Sequence, residues 1–341
     1  MTPALLLLLL LPTVQAAEFV VMRLGDTVEA MAQELGEPSL ADDIRTLNQI
    51  EPDAQPAIGS LIELPSAPES AIHEQQGMVL NAHGDVSAKL PGLDEQPASP
   101  GLELPPGTTV CTGPASYATL RLARSGGSLD HDDVNLLSET CLTLVATFSR
   151  EAERSSVIRV EQGSIAIRAA DDLPGTIVVE TDSGITTGRG GGFRVSRETG
   201  ATRTEALDAP VAVLGAGQEV QVGAGQGSRT ITGEAPSAPV DLLLGATPKR
   251  PQIDQALRRP DFGWSAVDGA LGYRVEIAAA GDFSAVVHAD SVPDTTWLPQ
   301  TLFLPYRVEG LWWRVAAFDR VGFLGYPSEP REIVLPAGVG P

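Results

Sequence analysis

The chain of 341 residues carries 44 acidic and 23 basic residues, which gives a formal net charge of −21 at pH 7. A surface with this charge repels nucleic acid and anionic lipid, so we expect neither as a partner. The length predicts two or three domains, each large enough to bury a core of its own.

The amino-terminal segment MTPALLLLLLLPTVQAAEF is typical of a secretory signal. Its apolar run from Ala4 to Leu11 is too short to span a bilayer, and the ending Val14-Gln15-Ala16 fits a signal-peptidase site. We therefore predict a signal peptide over residues 1–16, with cleavage after Ala16 or, as the alternative, after Ala17. No later segment has the pattern of a membrane span, so the expected location is the periplasm or the exterior of the cell.

The pattern from residue 18 to residue 65 predicts a strand, two helices and a second strand. Asp26 is placed to cap the first helix, with Glu29 reaching back to complete a capping box. The second helix is predicted to start at Ser39, and Leu40, Ile44 and Leu47 form its apolar stripe. The second strand is IGSLIELP, residues 58–65.

Within this span the segments RLGDTVEAMAQELG, DIRTLNQI and AIGSLIELP occur in order, and residues 18–65 resemble a LysM module, a small carbohydrate-binding unit of cell-wall proteins. The resemblance implies a shallow groove for peptidoglycan or another glycan containing N-acetylglucosamine, flanked by the loop after the first strand and the loop after the second helix. It implies the glycan-binding residues Gly25, Asp26, Thr27, Leu47, Asn48 and Ile50. Four of the six also have a structural alternative: Asp26 as a helix cap worth about 1 kcal/mol, Gly25 as a turn residue, and Leu47 and Ile50 as core residues.

Residues 66–76 are rich in Pro, Ser, Ala and Glu and predict a linker. From 77 to 233, short segments of alternating polarity separated by glycine and proline predict an all-β domain. The segments GMVLNAHGDV, LELPPGTTVCTGPASYATLRLARSGGS, VIRVEQGSIAIR and IVVETDSGITTGRGGGFRVSRETGATRTEAL follow one another, and the domain resembles a FecR domain, an envelope β-domain known from iron-uptake signalling. The resemblance implies a regulatory component that, in this chain, needs a separate membrane partner.

Cys111 and Cys141 are the two cysteines of the chain, and each lies in a strand-like segment. In an oxidising compartment this arrangement predicts one disulfide, which loop entropy makes worth about 3 to 4 kcal/mol. A pair of buried free thiols is the alternative.

A second linker is predicted over residues 234–247, and residues 248–336 resemble a fibronectin type III-like sandwich. Trp264, Tyr273 and the segment from Trp313 carry this resemblance, and Trp264 and Trp313 are predicted to lie in the core. Trp297 and Trp312 are the tryptophans that we expect to be exposed. The predicted fold class is mainly β and multidomain: a small βααβ module, a FecR-like β-domain and a β-sandwich of the fibronectin or immunoglobulin type.

The glycine-rich, histidine and acidic segments of the chain resemble parts of common cofactor and metal motifs, but each motif is incomplete. The glycine run from Gly188 lacks the Lys-Ser or Lys-Thr of a phosphate loop, and GAGQEVQVGAGQG lacks the third glycine of a dinucleotide site, so both predict turns. The four histidines lack metal-ligand spacing. The oxygen-rich stretch from Asp130 to Glu139 favours a solvated hairpin turn, with calcium binding as the alternative. We expect no cofactor, no metal and no catalytic residues.

Three hypotheses remain at this point. The first is a non-catalytic exported envelope protein that binds peptidoglycan through its first module and presents its β-domains to a protein partner of the envelope. The second is a FecR-like signalling component that acts with a separate membrane partner. The third is a cell-wall hydrolase with an unrecognised catalytic part, since LysM modules often accompany such enzymes.

Overall fold

The computed structural model describes residues 18–22, 27–34, 39–52, 54–57, 60–64, 73–74, 77–122, 132–150, 153–169, 175–251, 261–299 and 310–333. The predicted signal peptide and the predicted site residues Gly25 and Asp26 lie outside these residues. The fold is mainly β, with a small helical part near the amino terminus, as the sequence predicts. The chain divides into two compact units, Met1–Ile72 and His73–Pro341.

The first unit has the predicted order of strand, helix, helix and strand. Its elements are β1 (Glu18–Val21), α1 (Val28–Glu34), α2 (Leu40–Leu47) and β2 (Leu61–Leu64). The two strands pair antiparallel, with Val20 opposite Ile62. Within the predicted apolar stripe of α2, Ile44 is fully buried. Leu47 is 42 % exposed, so the buried part of the stripe ends at Ile44. The small core is built from Met22, Val28, Met31, Ala32, Ile44, Ile62 and Leu64.

The second unit begins with a run of short strands that form two sheets. These strands are β3 (His73–Glu74), β4 (Gly77–His83), β5 (Val86–Lys89), β6 (Glu95–Pro97), β7 (Glu103–Leu104), β8 (Thr109–Thr112), β9 (Tyr117–Leu122), β10 (Asp132–Leu136), β11 (Cys141–Arg150), β12 (Glu153–Ala169), β13 (Gly175–Glu180), β14 (Ile185–Gly188), β15 (Gly191–Glu198), β16 (Ala201–Ala206), β17 (Val211–Gly215), β18 (Gln218–Val222), β19 (Gln226–Ile231) and β20 (Val240–Asp241). The first sheet has the order β6-β5-β8-β11-β12-β13-β14-β17-β18, with β3 also paired to β11. The second has the order β7-β4-β9-β10-β12-β15-β16-β19-β20.

Strand β12 belongs to both sheets and joins them. Its first half pairs with β11 and, in parallel, with β13, whereas its second half pairs with β10 and β15. The change of sheet falls at Gly163, which has a φ of +84° and no room for a side chain: a Cβ atom there would lie 2.6 Å from the Glu139 carbonyl oxygen. The segment VIRVEQGSIAIR is therefore one bent strand, and Ile158, Val160 and Ile165 of that strand point into the core between the sheets.

The glycine-rich segments form turns, as predicted. The run that starts at Gly188 links β14 to β15, and a Cβ atom on Gly188 would lie 2.5 Å from the Phe193 ring. Ala216 and Gly217, with φ of +46° and +73°, form the hairpin turn between β17 and β18. Both segments owe their glycines to close packing and backbone conformation.

The rest of the second unit is a sandwich of two smaller sheets. One sheet contains β21 (Pro248–Arg250), β22 (Phe262–Trp264) and β25 (Thr296–Trp297); the other contains β23 (Gly272–Ala278), β24 (Val286–Val292), β26 (Leu311–Phe318), β27 (Leu324–Pro327) and β28 (Arg331–Ile333). Trp264 and Trp313 are core residues, as predicted, at 2 % and 0 % exposure. The fibronectin resemblance itself stays a prediction, as do the domain boundaries.

The expected exposure of Trp297 is wrong. Because β25 pairs with β22, the Trp297 ring turns inward and packs against Phe262, with the ring centroids 5.0 Å apart. Its indole Nε1 donates a hydrogen bond to Asp290 Oδ2 at 3.0 Å, which satisfies the polar end of the buried ring. Trp312 is half-buried.

The sandwich packs against the outer face of the second sheet along a contact that we call the seam. The Tyr117 hydroxyl on β9 accepts a hydrogen bond from Ala289 N at 2.8 Å, and the Tyr326 hydroxyl on β27 donates one to Leu207 O at 3.0 Å. Thr119 donates to Ser284 O in the loop before β24. The seam is therefore bonded through many polar groups as well as through apolar contact.

Candidate functional site

The start of α1 is capped by Thr27, one of the predicted site residues. Its Oγ1 accepts a hydrogen bond from Ala30 N at 3.0 Å, the bond that an N-cap side chain makes. Asp26, the predicted cap, lies outside the described residues. A second free amide of the first turn, Val28 N, donates to Gln55 Oε1 at 3.3 Å, so the loop after α2 contributes directly to this helix start.

Arg45 on α2 fixes that loop against α1. It is 8 % exposed, and its Nη1 donates to the carbonyl oxygens of Glu51 and Ala54 at 3.1 and 2.7 Å. Its Nη2 donates to Glu29 Oε1 at 2.5 Å, and Gln55 Nε2 donates to Glu29 Oε2 at 3.3 Å. Glu29 therefore binds Arg45 and Gln55 across the unit. We call this group of Glu29, Arg45 and Gln55 the clamp.

The clamp changes the acidity of Glu29. The hydrogen bond from Arg45, together with that from Gln55, lowers the pKa of Glu29 from 4.5 to about 2. A carboxyl group whose pKa is lower in the folded chain stabilises the fold above its unfolded pKa, and that stabilisation is lost as the pH falls toward its folded pKa. The clamp should accordingly weaken between pH 4.5 and about 2.

We expect the substitution Glu29→Gln to lower the thermal midpoint of the first unit above pH 4.5 and to have a vanishing effect as the pH approaches about 2. Because both described helices belong to this unit, the ellipticity at 222 nm of the full chain follows its unfolding. Glu51→Gln, which removes an exposed carboxylate outside the clamp, is the control. If Glu29→Gln lowers the thermal midpoint by the same amount at every pH, the charge of Glu29 is not what stabilises the clamp.

The predicted site residues after α2 have separate roles. Asn48 pins α2 to β2: its Oδ1 accepts from Glu63 N at 2.7 Å, and its Nδ2 donates to Glu63 O at 2.6 Å and Ile44 O at 2.8 Å. Ile50 is half-buried against the small core, whereas Leu47 presents its side chain to solvent. The fold thus brings Leu47, Asn48 and Ile50 together at the end of α2.

Thr27 lies at the start of α1, and Gln55 connects that start to the loop after α2. Sequence reasoning missed both Gln55 and Arg45. Residues 18–64 contain ten acidic residues and two basic ones, Arg23 and Arg45, so composition singles out two arginines but does not indicate which of them is buried. Whether these residues bind a glycan stays a prediction.

The stretch considered for calcium is engaged in hydrogen bonds where it is described. Asp133 Oδ1 and Oδ2 accept from Arg121 Nε and Nη2 at 2.9 and 3.0 Å, and Asn135 Oδ1 lies 2.7 Å from Thr119 Oγ1. Asp130 and His131 lie outside the described residues. Across the described ranges, no group of three or more His, Cys, Asp or Glu residues is placed to hold a metal ion.

Two carboxylates at the seam, Glu205 and Glu276, also have shifted pKa values. Burial raises the pKa of Glu205 on β16, against the opposing effect of Arg194 on β15. Burial acts in the same direction on Glu276, but there Arg314 and Arg274 prevail and lower the pKa to about 2. Glu276 Oε1 and Oε2 accept from Arg274 Nε at 3.0 Å and Arg314 Nε at 2.8 Å. These carboxylates are held in ion pairs that join strands.

Comparisons with known proteins assign no family. No protein-family model matches the chain, and no curated protein matches it. Two crystal structures of a protein described as an anti-sigma factor from Parabacteroides distasonis, at 2.50 and 1.65 Å resolution, match at 12 % identity with TM-scores of 0.30 and 0.31. The match is weak, covering 39 % of this chain and 59 % of theirs, so this chain spans less than two thirds of their length.

The helices α1 and α2, which are those of the described residues, are too short and too polar to cross a membrane.

Proposed function

We propose that this chain is a non-catalytic exported envelope protein, periplasmic or secreted, whose first unit binds peptidoglycan or another glycan containing N-acetylglucosamine. Its β-domains would present surfaces to a protein partner in the envelope. The observation that carries the proposal is the clamp, because it holds the loop after α2 against the start of α1. In the LysM resemblance, these are the two connections that flank the glycan groove.

A glycan of N-acetylated sugars offers apolar ring faces together with amide donors and acceptors. Leu47, 42 % exposed at the end of α2, supplies an apolar surface for a ring face, and the backbone groups of the two loops supply hydrogen bonds for the acetamido groups. The ten carboxylates of residues 18–64 against two cations favour contact with uncharged sugar units over contact with the anionic groups of a cell-wall polymer. A shallow site of this kind binds weakly as a single copy.

We expect the full chain to sediment with purified peptidoglycan sacculi and with chitin, and the variant Leu47→Ala to bind both about fivefold more weakly, since the loss of one partly buried aliphatic contact is worth about 1 kcal/mol. Leu93→Ala is the matched control, because Leu93 is 57 % exposed and lies in the second unit. Cellulose, which lacks acetamido groups, should retain neither variant.

Recovery on sacculi no greater than on cellulose would remove the proposed ligand class. If Leu47→Ala binds as well as the wild-type chain, the glycan does not contact the end of α2. Zymography on cell-wall substrate tests the non-catalytic part of the proposal, since clearing that a single carboxylate substitution abolishes would establish a hydrolase.

A further inference from the structure

We propose that a second copy of this chain pairs with the outer edge of β18, so that the first sheets of two copies join into one continuous sheet. Strand β18 (Gln218–Val222) is the last strand of the first sheet, and among the described residues it is paired with β17 alone. The chain then turns at Gly223, and β19 pairs with β16 and β20 in the second sheet. One edge of β18 is therefore open to another strand.

The other ends of the two large sheets are too short to offer a comparable edge. Strands β7 and β20 have two residues each, and β6 has three and ends at Pro97, which lacks an N–H group. The longest outer strand of the sandwich, β24, lies against β9, where Ala289 N donates to the Tyr117 hydroxyl. Proteins prevent unwanted strand pairing with such features. Strand β18 has five residues, no proline and no bulge, and it carries a single charge at Glu219.

The hairpin of β17 and β18 determines which backbone groups of β18 face outward. Its two-residue turn joins Gly215 to Gln218, and these two residues form the closing hydrogen-bonded pair of a hairpin of this kind. Bonded and non-bonded pairs then alternate along the ladder. Every second residue of β18 from Gln218 onward therefore bonds to β17, whereas the N–H and C=O groups of Glu219 and Gln221 point away from it.

These outward groups match those of a second β18 in one antiparallel register. With Val220 opposite Val220 of the second copy, Glu219 lies opposite Gln221 of that copy, and Gln221 lies opposite its Glu219. The two pairs make four backbone hydrogen bonds across a two-fold axis. A register with Glu219 opposite its own copy keeps only one such pair and brings two carboxylates together, which is unfavourable.

The side chains favour the same register. Gln221 Nε2 donates to Glu219 Oε1 at 2.9 Å within the strand, so both side chains lie on one face of the sheet. Across the two-fold axis, each carboxylate then meets an amide donor of the second copy. Val220 is half-buried, and pairing with its copy adds an apolar contact.

The charge of the chain sets the conditions for this association. A net charge of −21 on each copy opposes a dimer, and added salt screens that repulsion. The dimer should accordingly become tighter as the ionic strength rises. An interface made by one short strand is small, so we expect a reversible dimer.

The test is sedimentation velocity of the full chain over a series of chain and sodium chloride concentrations. We expect an equilibrium between monomer and dimer whose dissociation constant falls with added salt. Gln221→Pro removes an outward N–H group and leaves the bonds to β17 in place, so it should abolish the dimer. Gln221→Glu places carboxylates opposite each other in both pairs and should weaken the dimer about tenfold.

A double variant tests the register itself. Glu219→Gln with Gln221→Glu exchanges the two side chains, restores a carboxylate opposite an amide and should return the dissociation constant to the wild-type value. Gln162→Glu adds the same charge at an exposed position of β12 and should have little effect. A chain that stays monomeric under all conditions, a dimer that survives both single variants, or a double variant no tighter than Gln221→Glu would overturn the proposal. Glycan binding by the first unit does not enter this measurement.

Discussion

The substitution Arg194→Met is expected to lower the free energy of unfolding of the second unit by about 3 to 5 kcal/mol, the cost of leaving a buried charge without its partner. Glu205, the partner, is 2 % exposed and lies directly opposite Arg194 in the pairing of β15 with β16. The change also removes the hydrogen bonds from Arg194 Nη2 to the carbonyl oxygens of Leu324 and Gly325, which join the sheet to the sandwich. Denaturant unfolding followed by tryptophan fluorescence measures the loss, since all four tryptophans lie in the sandwich.

The pH dependence of this variant follows from the same pair. Without Arg194, the pKa of the buried Glu205 carboxyl rises further, because burial disfavours the charged form. A carboxyl group with a raised folded pKa loses its contribution to stability as the pH increases. The loss of unfolding free energy caused by Arg194→Met should therefore be largest at neutral pH. It should shrink as the pH approaches 4.5, the ordinary pKa of a glutamate carboxyl.

A double variant distinguishes a buried charge from lost packing. Arg194→Met with Glu205→Leu removes both charges, and it should recover part of the stability that Arg194→Met loses. Arg159→Met, at a side chain 54 % exposed, should cost less than about 1 kcal/mol. If the double variant is less stable than Arg194→Met by the full cost of a second core substitution, the ion pair is not the source of the effect.

The sequence predicted those features that depend on local patterns. The order of strand, helix, helix and strand in the first unit, the strand that crosses Gly163 and the turn at Gly188 all follow from spacing of apolar residues and glycines. Trp297 was misassigned because its burial depends on β25 pairing with β22, a contact between segments more than thirty residues apart. Periodicity reports which residues of one segment share a face, and it does not report what covers that face.

The seam shows the same limit more clearly. In the segment FRVSR, Phe193 and Val195 point into the core, so alternation places Arg194 on the outer face, where a charged residue is ordinary. Arg194 is buried only because the sandwich packs over that face. The sequence does not predict the clamp in the first unit for a related reason. Arg45 binds carbonyl oxygens of a loop. Every residue has a backbone carbonyl, so the sequence does not indicate which of them accepts a hydrogen bond.

Replacing both Cys111 and Cys141 with serine is expected to lower the free energy of unfolding by about 3.5 kcal/mol, the value that the loop-entropy model gives for this separation. The two residues lie opposite each other on β8 and β11 and form the predicted disulfide, with a sequence separation of 30. The strands keep other bonds when the cross-link is lost, among them Thr109 Oγ1 to Thr143 Oγ1 at 2.8 Å. The native pairing should therefore persist, and the effect should arise in the unfolded chain.

An effect that arises in the unfolded chain can also be detected in the denaturant slope. An unfolded chain without the cross-link exposes more surface, so the denaturant slope should increase while the midpoint falls. The wild-type chain in reducing agent should match the double serine variant, which reducing agent should leave unchanged. A midpoint shift with an unchanged slope would instead place the loss in the native state, in the packing of β8 against β11. The measurement thus decides whether the disulfide maintains the sheet or only limits the unfolded ensemble.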